Sequence, residues 1–476
     1  MPITETYQSH AKHDPKKIAI QTETEIIDYQ TWYQLVLRTA SWLKRKKRMN
    51  ERLVFSLPNG VPFLQLFAGA AMAGWTAIPF DQRFSLTECS ERLSLCKPDL
   101  IIAEHPFCGH SNVILLETCL QEIENTPLDP VPHVNDDLPF YIGFTSGSTG
   151  SPKAFSRSHR SWIESFHNSS RNFQLSKEDR VVIPGSLFFS HFLYGAMNTL
   201  FLGGTIDLLK KFSLTDLEQT IAQQPVTTLY TVPTMTNALS AENRRIDKPV
   251  KTISSGANWS KHAKEKLRKK YPSLSLYHFY GTSELSFISV SAPQDDEKKP
   301  DSVGLPFHNV EVDIRTSSGM SAKPGEIGKI YVKSPMVFSG YLQEQPDLHS
   351  PDENGWMTVH DMGWKDEDGY LYLAGRENSM IVYGGINIYP EEIESVLSSH
   401  PDVEEVAVIG VNDDYWGEKA AAIIKGKASV KELKAWCKRQ LAHYKMPRIW
   451  HYTEQMPHTT SGKIARHLLK QQLKGL

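Results

Sequence analysis

The sequence has little cysteine, almost no net charge and only brief uncharged runs, with one exception. Five cysteines (Cys89, Cys96, Cys108, Cys119, Cys437) are odd in number and contain no C-x-x-C pair. That argues against a disulfide framework and a zinc site, and it fits a reducing, cytoplasmic setting. The net charge is -2, from 52 basic and 54 acidic residues. Such a balance carries no global footprint for nucleic acid or an anionic membrane. The stretch MPITETYQSHAKHDPKK at the start has no apolar core and does not read as a signal peptide.

The exception is Val54 to Phe80, 27 residues without a charge. That is long enough to span a bilayer. Yet it contains Pro58, Asn59, Gly60, Pro62, Gly69, Gly74 and Pro79. Leu53–Leu57 reads as a strand, Val61–Ala73 as a helix and Trp75–Phe80 as a second strand. Parallel strands buried on both faces are apolar throughout, so a βαβ unit accounts for the missing charge and no transmembrane segment is expected.

What is present is a globular composition, 40% hydrophobic and 22% charged over 476 residues. That length corresponds to roughly three units of about 150 residues. The charge is uneven. From Lys431 onward ten Lys/Arg stand against Glu432 and Glu454, a local excess of +8. The run Lys44–Arg48 follows an apolar-periodic stretch and reads as an exposed helix end.

Short apolar strands alternate with helical patterns from Leu53 to about Val290. Val181–Ile183, Thr205–Leu209 and Thr227–Val232 are strand candidates; Leu214–Gln223 and Trp259–Lys269 are helix candidates. This is doubly wound α/β. Ala292–Asp301 reads as a polar break. After it, Val310–Thr316, Gly328–Lys333 and Gly369–Leu373 alternate apolar and polar around Gly turns, as in a small antiparallel β unit. Beyond Ala374–Asn378 comes an α+β pattern: strand Met380–Val382, helix Pro390–Ser398, strands Val403–Ile409 and Ala420–Ile424, and helix Val430–His443. The expected architecture is α/β. A large composite N-terminal domain (1–376), with doubly wound α/β subdomains and a small β unit, precedes a smaller, mobile α+β C-terminal domain (377–476).

The sharpest local feature is Thr145-Ser146-Gly147-Ser148-Thr149-Gly150-Ser151-Pro152-Lys153, after the strand-like run Phe140–Phe144. Glycines let backbone N–H groups approach a phosphate, hydroxyls donate and the lysine neutralises. It is not a Walker A loop, because Pro152 precedes Lys153, and no strand-linked GxGxxG occurs. The loop resembles the phosphate-binding loop of the adenylate-forming superfamily, roughly [FY]-T-S-G-[ST]-T-G-x-P-K-G, with Ala154 replacing the last Gly. That superfamily includes acyl-CoA synthetases, firefly luciferase and the adenylation domains of peptide synthetases.

Further motifs follow in the family's order. Tyr280-Gly281-Thr282-Ser283-Glu284 resembles Y-G-x-[TS]-E. The resemblance implies Tyr280 against adenine, Thr282 on the α-phosphate and Glu284 as an oxygen ligand for Mg²⁺. Ser255-Gly256-Ala257 resembles the glycine turn beside adenine. His360-Asp361, then Gly363, resembles T-G-D-x-G, where the aspartate holds the ribose hydroxyls; Val359-His360 replace Thr-Gly. Gly375-Arg376 matches the family's Gly-Arg, whose guanidinium also reaches the ribose. Two residues on lies the family's hinge, usually Asp or Lys and here Asn378. Gly384-Gly385-Ile386-Asn387-Ile388-Tyr389-Pro390 resembles the version found in members that make CoA thioesters, where paired glycines pass the pantetheine arm. Pro457–Ile464 resembles P-[KR]-T-x-S-G-K-[IV], which implies Lys463 as the catalytic lysine.

The resemblance therefore implies an enzyme using ATP, Mg²⁺ and CoA. It would activate a carboxylic acid as an acyl-adenylate and pass it to CoA. Lys463, Glu284, Thr282 and Lys153 carry the chemistry. His191, Phe192 and Tyr194 fall where the family lines its acyl pocket. No carboxylate lies between Gly185 and Ile206 to meet an ammonium, so a fatty or aryl acid fits better than an amino acid. For His191 a hydrogen-bonded core role stands beside the pocket role. Two alternatives are transfer to the phosphopantetheine of a carrier protein, and a nucleotide-binding protein without catalysis.

Overall fold

The computed structural model describes the chain apart from residues 1, 47–48, 106, 108–112, 131–132, 147–151, 242–247, 256–260, 344–349, 384–385, 414–415, 460–462 and 475–476. The side chains at 146, 237, 240–241, 261–263, 378, 387, 467 and 474 also lie outside the description.

The uncharged stretch is a βαβ unit. Strands Arg52–Ser56 and Thr76–Pro79 pair in parallel, and helix Val61–Ala73 crosses between them. Every residue of that helix except Pro62 is buried. Each large apolar side chain so placed contributes about 1.5–3 kcal/mol. Among the described residues no helix is long and apolar enough to cross a membrane.

Two large sheets organise the N-terminal part. One runs Gly340–Tyr341, Pro152–Ser158, Pro139–Ser146, Thr76–Pro79, Arg52–Ser56, Leu100–Ala103, Val113–Leu115. The other has a parallel centre formed by Leu274–Thr282, Val250–Ser254, Thr228–Thr231, Arg180–Ile183, Thr205–Leu208 and Ile18–Gln21. Its antiparallel edges are Ser286–Ser291 with Leu305–Pro306, and Ile26–Asp28. The small β unit is an antiparallel sheet in the order Glu311–Arg315, Gly328–Lys333, Asp361–Lys365, Leu371–Arg376. One buried cluster, from Ile3 to Leu371, serves all three sheets.

The C-terminal part has its own buried clusters, drawn from residues between Ile381 and Leu469. Its sheet is built on the long antiparallel pair Val403–Asp413 and Gly417–Gly426. Helix Pro390–Ser398 covers it, starting with Pro at its first turn and Glu391 and Glu392 behind it.

Three expectations need correction. Ala292–Asp301 is not simply a break: Pro293–Lys298 is a helix whose Asp296 is buried, receives the Lys264 ammonium at 2.6 Å and pairs with Arg268. The last helical pattern stops at Lys438 rather than His443. Cys89 is disulfide-bonded, whereas Cys96, Cys119 and Cys437 are free and buried. An odd cysteine count rules out complete pairing, but not a single bond.

Candidate active site

Strands Pro139–Ser146 and Pro152–Ser158 form an antiparallel hairpin, with Thr145 opposite Lys153 and Ser146 opposite Pro152. The strand is longer than the sequence pattern indicates, so Thr145 and Ser146 belong to the ladder. Gly147, Ser148, Thr149 and Gly150 lie outside the described residues, as does the side chain of Ser146. The ladder fixes the two ends of the phosphate-loop candidate, Thr145 and Lys153, beside one another.

A second hairpin, Leu274–Thr282 with Ser286–Ser291, carries the next group. Gly281 is required here, since a Cβ would stand 2.2 Å from the Ser286 carbonyl oxygen. The Thr282 hydroxyl accepts from the Leu285 N–H at 3.0 Å, closing the turn that presents Glu284. Glu284 is then held from a third direction. The Tyr341 hydroxyl donates to its Oε1 at 2.5 Å, and its backbone carbonyl accepts from Phe338 N–H at 2.8 Å. Tyr341 also interacts with Thr145, and its ring lies 5.5 Å from the Lys153 ammonium. Burial first, then Glu284, push its phenol above the ordinary range, so it stays a donor. Sequence reasoning missed Tyr341, which sits in a two-residue strand with no periodicity.

Arg157 is another residue the sequence did not single out. Its guanidinium is buried, donates to the carbonyl oxygens of Met336 (2.8 Å) and Ser283 (3.4 Å), and has Nε–H on Ser161 Oγ at 3.2 Å. It braces the turn on which Glu284 stands. Burial lowers it to about 10, so it remains cationic at neutral pH.

Asp361 and Arg376 face each other across strands Asp361–Lys365 and Leu371–Arg376. Asp361 is buried and accepts twice: from the Tyr280 hydroxyl at 2.5 Å and from Arg376 Nε–H at 3.0 Å. Burial pulls the Arg376 guanidinium down, but Asp361, Tyr280 and Glu284 outweigh it and raise it on balance. Tyr280, expected beside adenine, is thus also a hydrogen-bond anchor for the ribose candidate. Gly256 and Ala257 lie outside the described residues.

Lys463, in the C-terminal part, lies in the electrostatic field of this group. Its backbone is fixed by Thr459, whose N–H donates to the Lys463 carbonyl at 2.7 Å and whose hydroxyl accepts from the Lys463 N–H at 3.3 Å. The following helix, Arg466–Lys474, is tied down where Arg466 meets Glu394 at 2.5 Å. The Lys463 side chain keeps a path to solvent while protein atoms crowd it on other sides. That crowding lowers its ammonium below the ordinary value, Arg376 adds to the fall, and Asp361 and Glu284 oppose it. Lys463, Arg376, Asp361 and Glu284 therefore share one electrostatic environment, although 179 residues separate Glu284 from Lys463.

Gly384 and Gly385 lie outside the described residues; the strands on either side, Ile381–Tyr383 and Ile386–Ile388, pair with Tyr383 opposite Ile386. Asn378 falls in a short 3-10 turn, Glu377–Ser379, directly after Arg376. The two parts touch here. At Gly375, with φ of 148°, a Cβ would stand 2.4 Å from the Glu391 carboxylate.

Of the acyl-pocket candidates, Phe192 and Tyr194 are buried. Tyr194 shares a hydrogen bond with Ser169 at 2.9 Å and packs on Trp162, Phe166 and Phe287. His191 is half-buried, and its Nε2–H donates to the Thr231 carbonyl at 2.9 Å. Burial lowers it to about 4, with that bond opposing the fall, so the ring is neutral at pH 7. Its ring lies among Phe192, Tyr230 and Phe279.

A family model described as AMP-binding enzyme matches residues 7–342, and one described as AMP-binding enzyme C-terminal domain matches residues 392–463. An uncharacterized acyl–CoA ligase of Bacillus subtilis is 53% identical, covering 99% of this chain and 98% of that protein. The o-succinylbenzoate CoA synthetase of Bacillus subtilis, solved with its acyl-adenylate intermediate, superposes with a TM-score of 0.91 at 26% identity, covering 99% of this chain and 98% of that one. The same enzyme with ATP and magnesium ion gives a TM-score of 0.89 at 26% identity, covering 99% of each chain.

Proposed function

The chain belongs to the AMP-binding enzyme family, and from that premise we infer that it is an AMP-forming acid–CoA ligase. It activates a carboxylic acid with ATP as an acyl-adenylate, then transfers the acyl group to CoA. The observation that carries the reading is the hydrogen-bonded set Tyr280–Asp361–Arg376 together with Tyr341–Glu284, in whose electrostatic field Lys463 of the C-terminal part stands.

A carboxylate is a weak electrophile, so it must gain a leaving group. Its oxygen attacks the α-phosphorus of ATP in line and pyrophosphate departs. The chain's task is positioning and charge neutralisation. We assign Lys153 and the Thr145–Gly150 segment to the phosphates, Thr282 to the α-phosphate, Asp361 and Arg376 to the ribose, and Tyr280 with Gly256–Ala257 to adenine. Lys463 bridges the substrate carboxylate and the α-phosphate. Glu284 suits Mg²⁺, which when bound neutralises phosphate charge. Tyr341 occupies one of its oxygens and leaves the other for the ion.

The 1–376 and 377–476 parts are read as the domains that turn relative to one another about Asn378. Lys463 withdraws, and the Gly384-Gly385 hairpin arrives to line the thiol path. CoA sulfur then attacks the acyl carbonyl and AMP leaves. Proline at position 378 is expected to restrict this turn. Asn378→Pro should slow one half-reaction at least tenfold more than the other, measured as ATP–pyrophosphate exchange and as thioester formation from preformed acyl-adenylate. Equal, wild-type rates would remove the pivot from this position.

The acyl group is read as fatty or aryl. The neutral His191 and the surrounding rings of Phe192, Tyr230 and Phe279 support an apolar acid and offer no anion to an ammonium. A cytoplasmic location suits both cosubstrates. A panel of fatty, aryl and amino acids with ATP, read by AMP release with and without free CoA, tests the whole reading. Release that CoA fails to stimulate would favour a carrier-protein acceptor, and failure of every acid to support AMP release would leave only nucleotide binding.

A further inference from the structure

His360 stands where the family motif has glycine, and its backbone shows why that matters. Its φ is +63°, a left-handed conformation that residues with a Cβ adopt uncommonly and histidine more readily than most. Three contacts run from this part of the sheet to Glu377. The Glu377 N–H donates to the His360 carbonyl at 2.9 Å. His360 Nδ1 meets Glu377 Oε2 at 2.8 Å. Lys329, on the neighbouring strand Gly328–Lys333, reaches the same oxygen at 2.9 Å. The carboxylate is only partly exposed, and although burial opposes it, Lys329 and His360 hold Glu377 below the ordinary carboxylate value.

The position of Glu377 gives this clamp a purpose. On its N-terminal side is Arg376, bonded to Asp361. On its C-terminal side is Asn378. A chain turning about Asn378 applies torque to whatever precedes it. If Glu377 were loose, the motion would spread back to Arg376 and disturb the ribose contacts just when the acyl-adenylate must stay bound.

We propose that His360 is a positioning residue for the second half-reaction. With Lys329 it pins Glu377 to the N-terminal domain, so that rotation begins at Asn378 and leaves Arg376 on Asp361. This rests on the reading of Asn378 as the pivot. A glycine at 360 would satisfy the backbone but supply no clamp. The chain has accepted a left-handed histidine and gained an anchor for the residue before its hinge.

The test uses the full chain as wild type, His360→Gly, Glu377→Ala and the double variant. Glycine suits the backbone at 360, so the thermal midpoint of His360→Gly should be no lower than wild type. Amide hydrogen exchange in the segment 375–380 should be about tenfold faster in each single variant, the factor one charge-assisted hydrogen bond carries. The double variant should exchange no faster than Glu377→Ala. With the acid that releases most AMP, pyrophosphate exchange should stay within about twofold while thioester formation falls about tenfold. Unchanged exchange at 375–380 in His360→Gly, or equal losses in both half-reactions, would overturn the proposal. Failure of the pivot reading shows separately, as wild-type behaviour of Asn378→Pro alongside altered exchange in His360→Gly.

Discussion

Lys463→Ala should lower acyl-adenylate formation by about 10²- to 10³-fold, the loss that follows removal of one donor aimed at developing transition-state charge. Negative charge builds on the α-phosphate as the carboxylate attacks. Thr282 can offer only a neutral hydroxyl, and Arg376 is already committed to Asp361. Lys463 is the cation that arrives from the other domain, and among the described residues it forms no ion pair that would hold it elsewhere. Burial and Arg376 lower its ammonium, and Asp361 and Glu284 oppose that fall. On the proposed rotation about Asn378, thioester formation from preformed acyl-adenylate should stay within about threefold of wild type. ATP–pyrophosphate exchange and a single-turnover thioester assay measure the two steps apart. Equal loss in both would show that Lys463 supports the fold or nucleotide binding in general. Arginine is a poor replacement: its planar fork cannot sit as a point charge between two anionic groups.

Much of the fold could be read from punctuation. Gly74 ends helix Val61–Ala73, Ser213 caps helix Leu214–Gln223, and Pro390 opens helix Pro390–Ser398; each matches its predicted span. These signals are local, and local chemistry decided the boundaries. Where the deciding partner is remote, sequence reasoning fails. Asp296 looks like one acid in a polar run, because the bases that bury it, Lys264 and Arg268, lie about 30 residues earlier. Tyr341 looks like a loop tyrosine until folding brings Glu284 to its hydroxyl, across 57 residues of chain. Arg157 looks like a strand arginine at an edge, yet it is buried and bonded to backbone carbonyls on two other segments. The motif residues themselves were legible by resemblance. Their bracing was not, because it depends on which strands become neighbours.

That bracing determines the other large effect, at Asp361. Its two oxygens accept from Tyr280 and Arg376, leaving lone pairs for a pair of ribose hydroxyls. Asp361→Ala should raise the KM for ATP about 100-fold, as expected when two hydrogen bonds to a charged acceptor are lost together. Part of that loss is indirect, since a buried phenol and a guanidinium are left without their acceptor. Asp361→Asn keeps the shape but not the charge and should lose about tenfold. Tyr280→Phe keeps the ring for adenine and the Arg376 contact and removes only a brace on Asp361 that does not itself bond the ribose, so it should stay within about threefold. The decisive comparison is ATP against 2′-deoxy-ATP. Wild type should prefer ATP, and Asp361→Ala should discriminate far less, because the group that reads the 2′-hydroxyl is gone. If Asp361→Ala kept the full preference for ATP, or raised the KM for the acid instead, the carboxylate would be a brace for Tyr280 and Arg376 and not a ribose ligand.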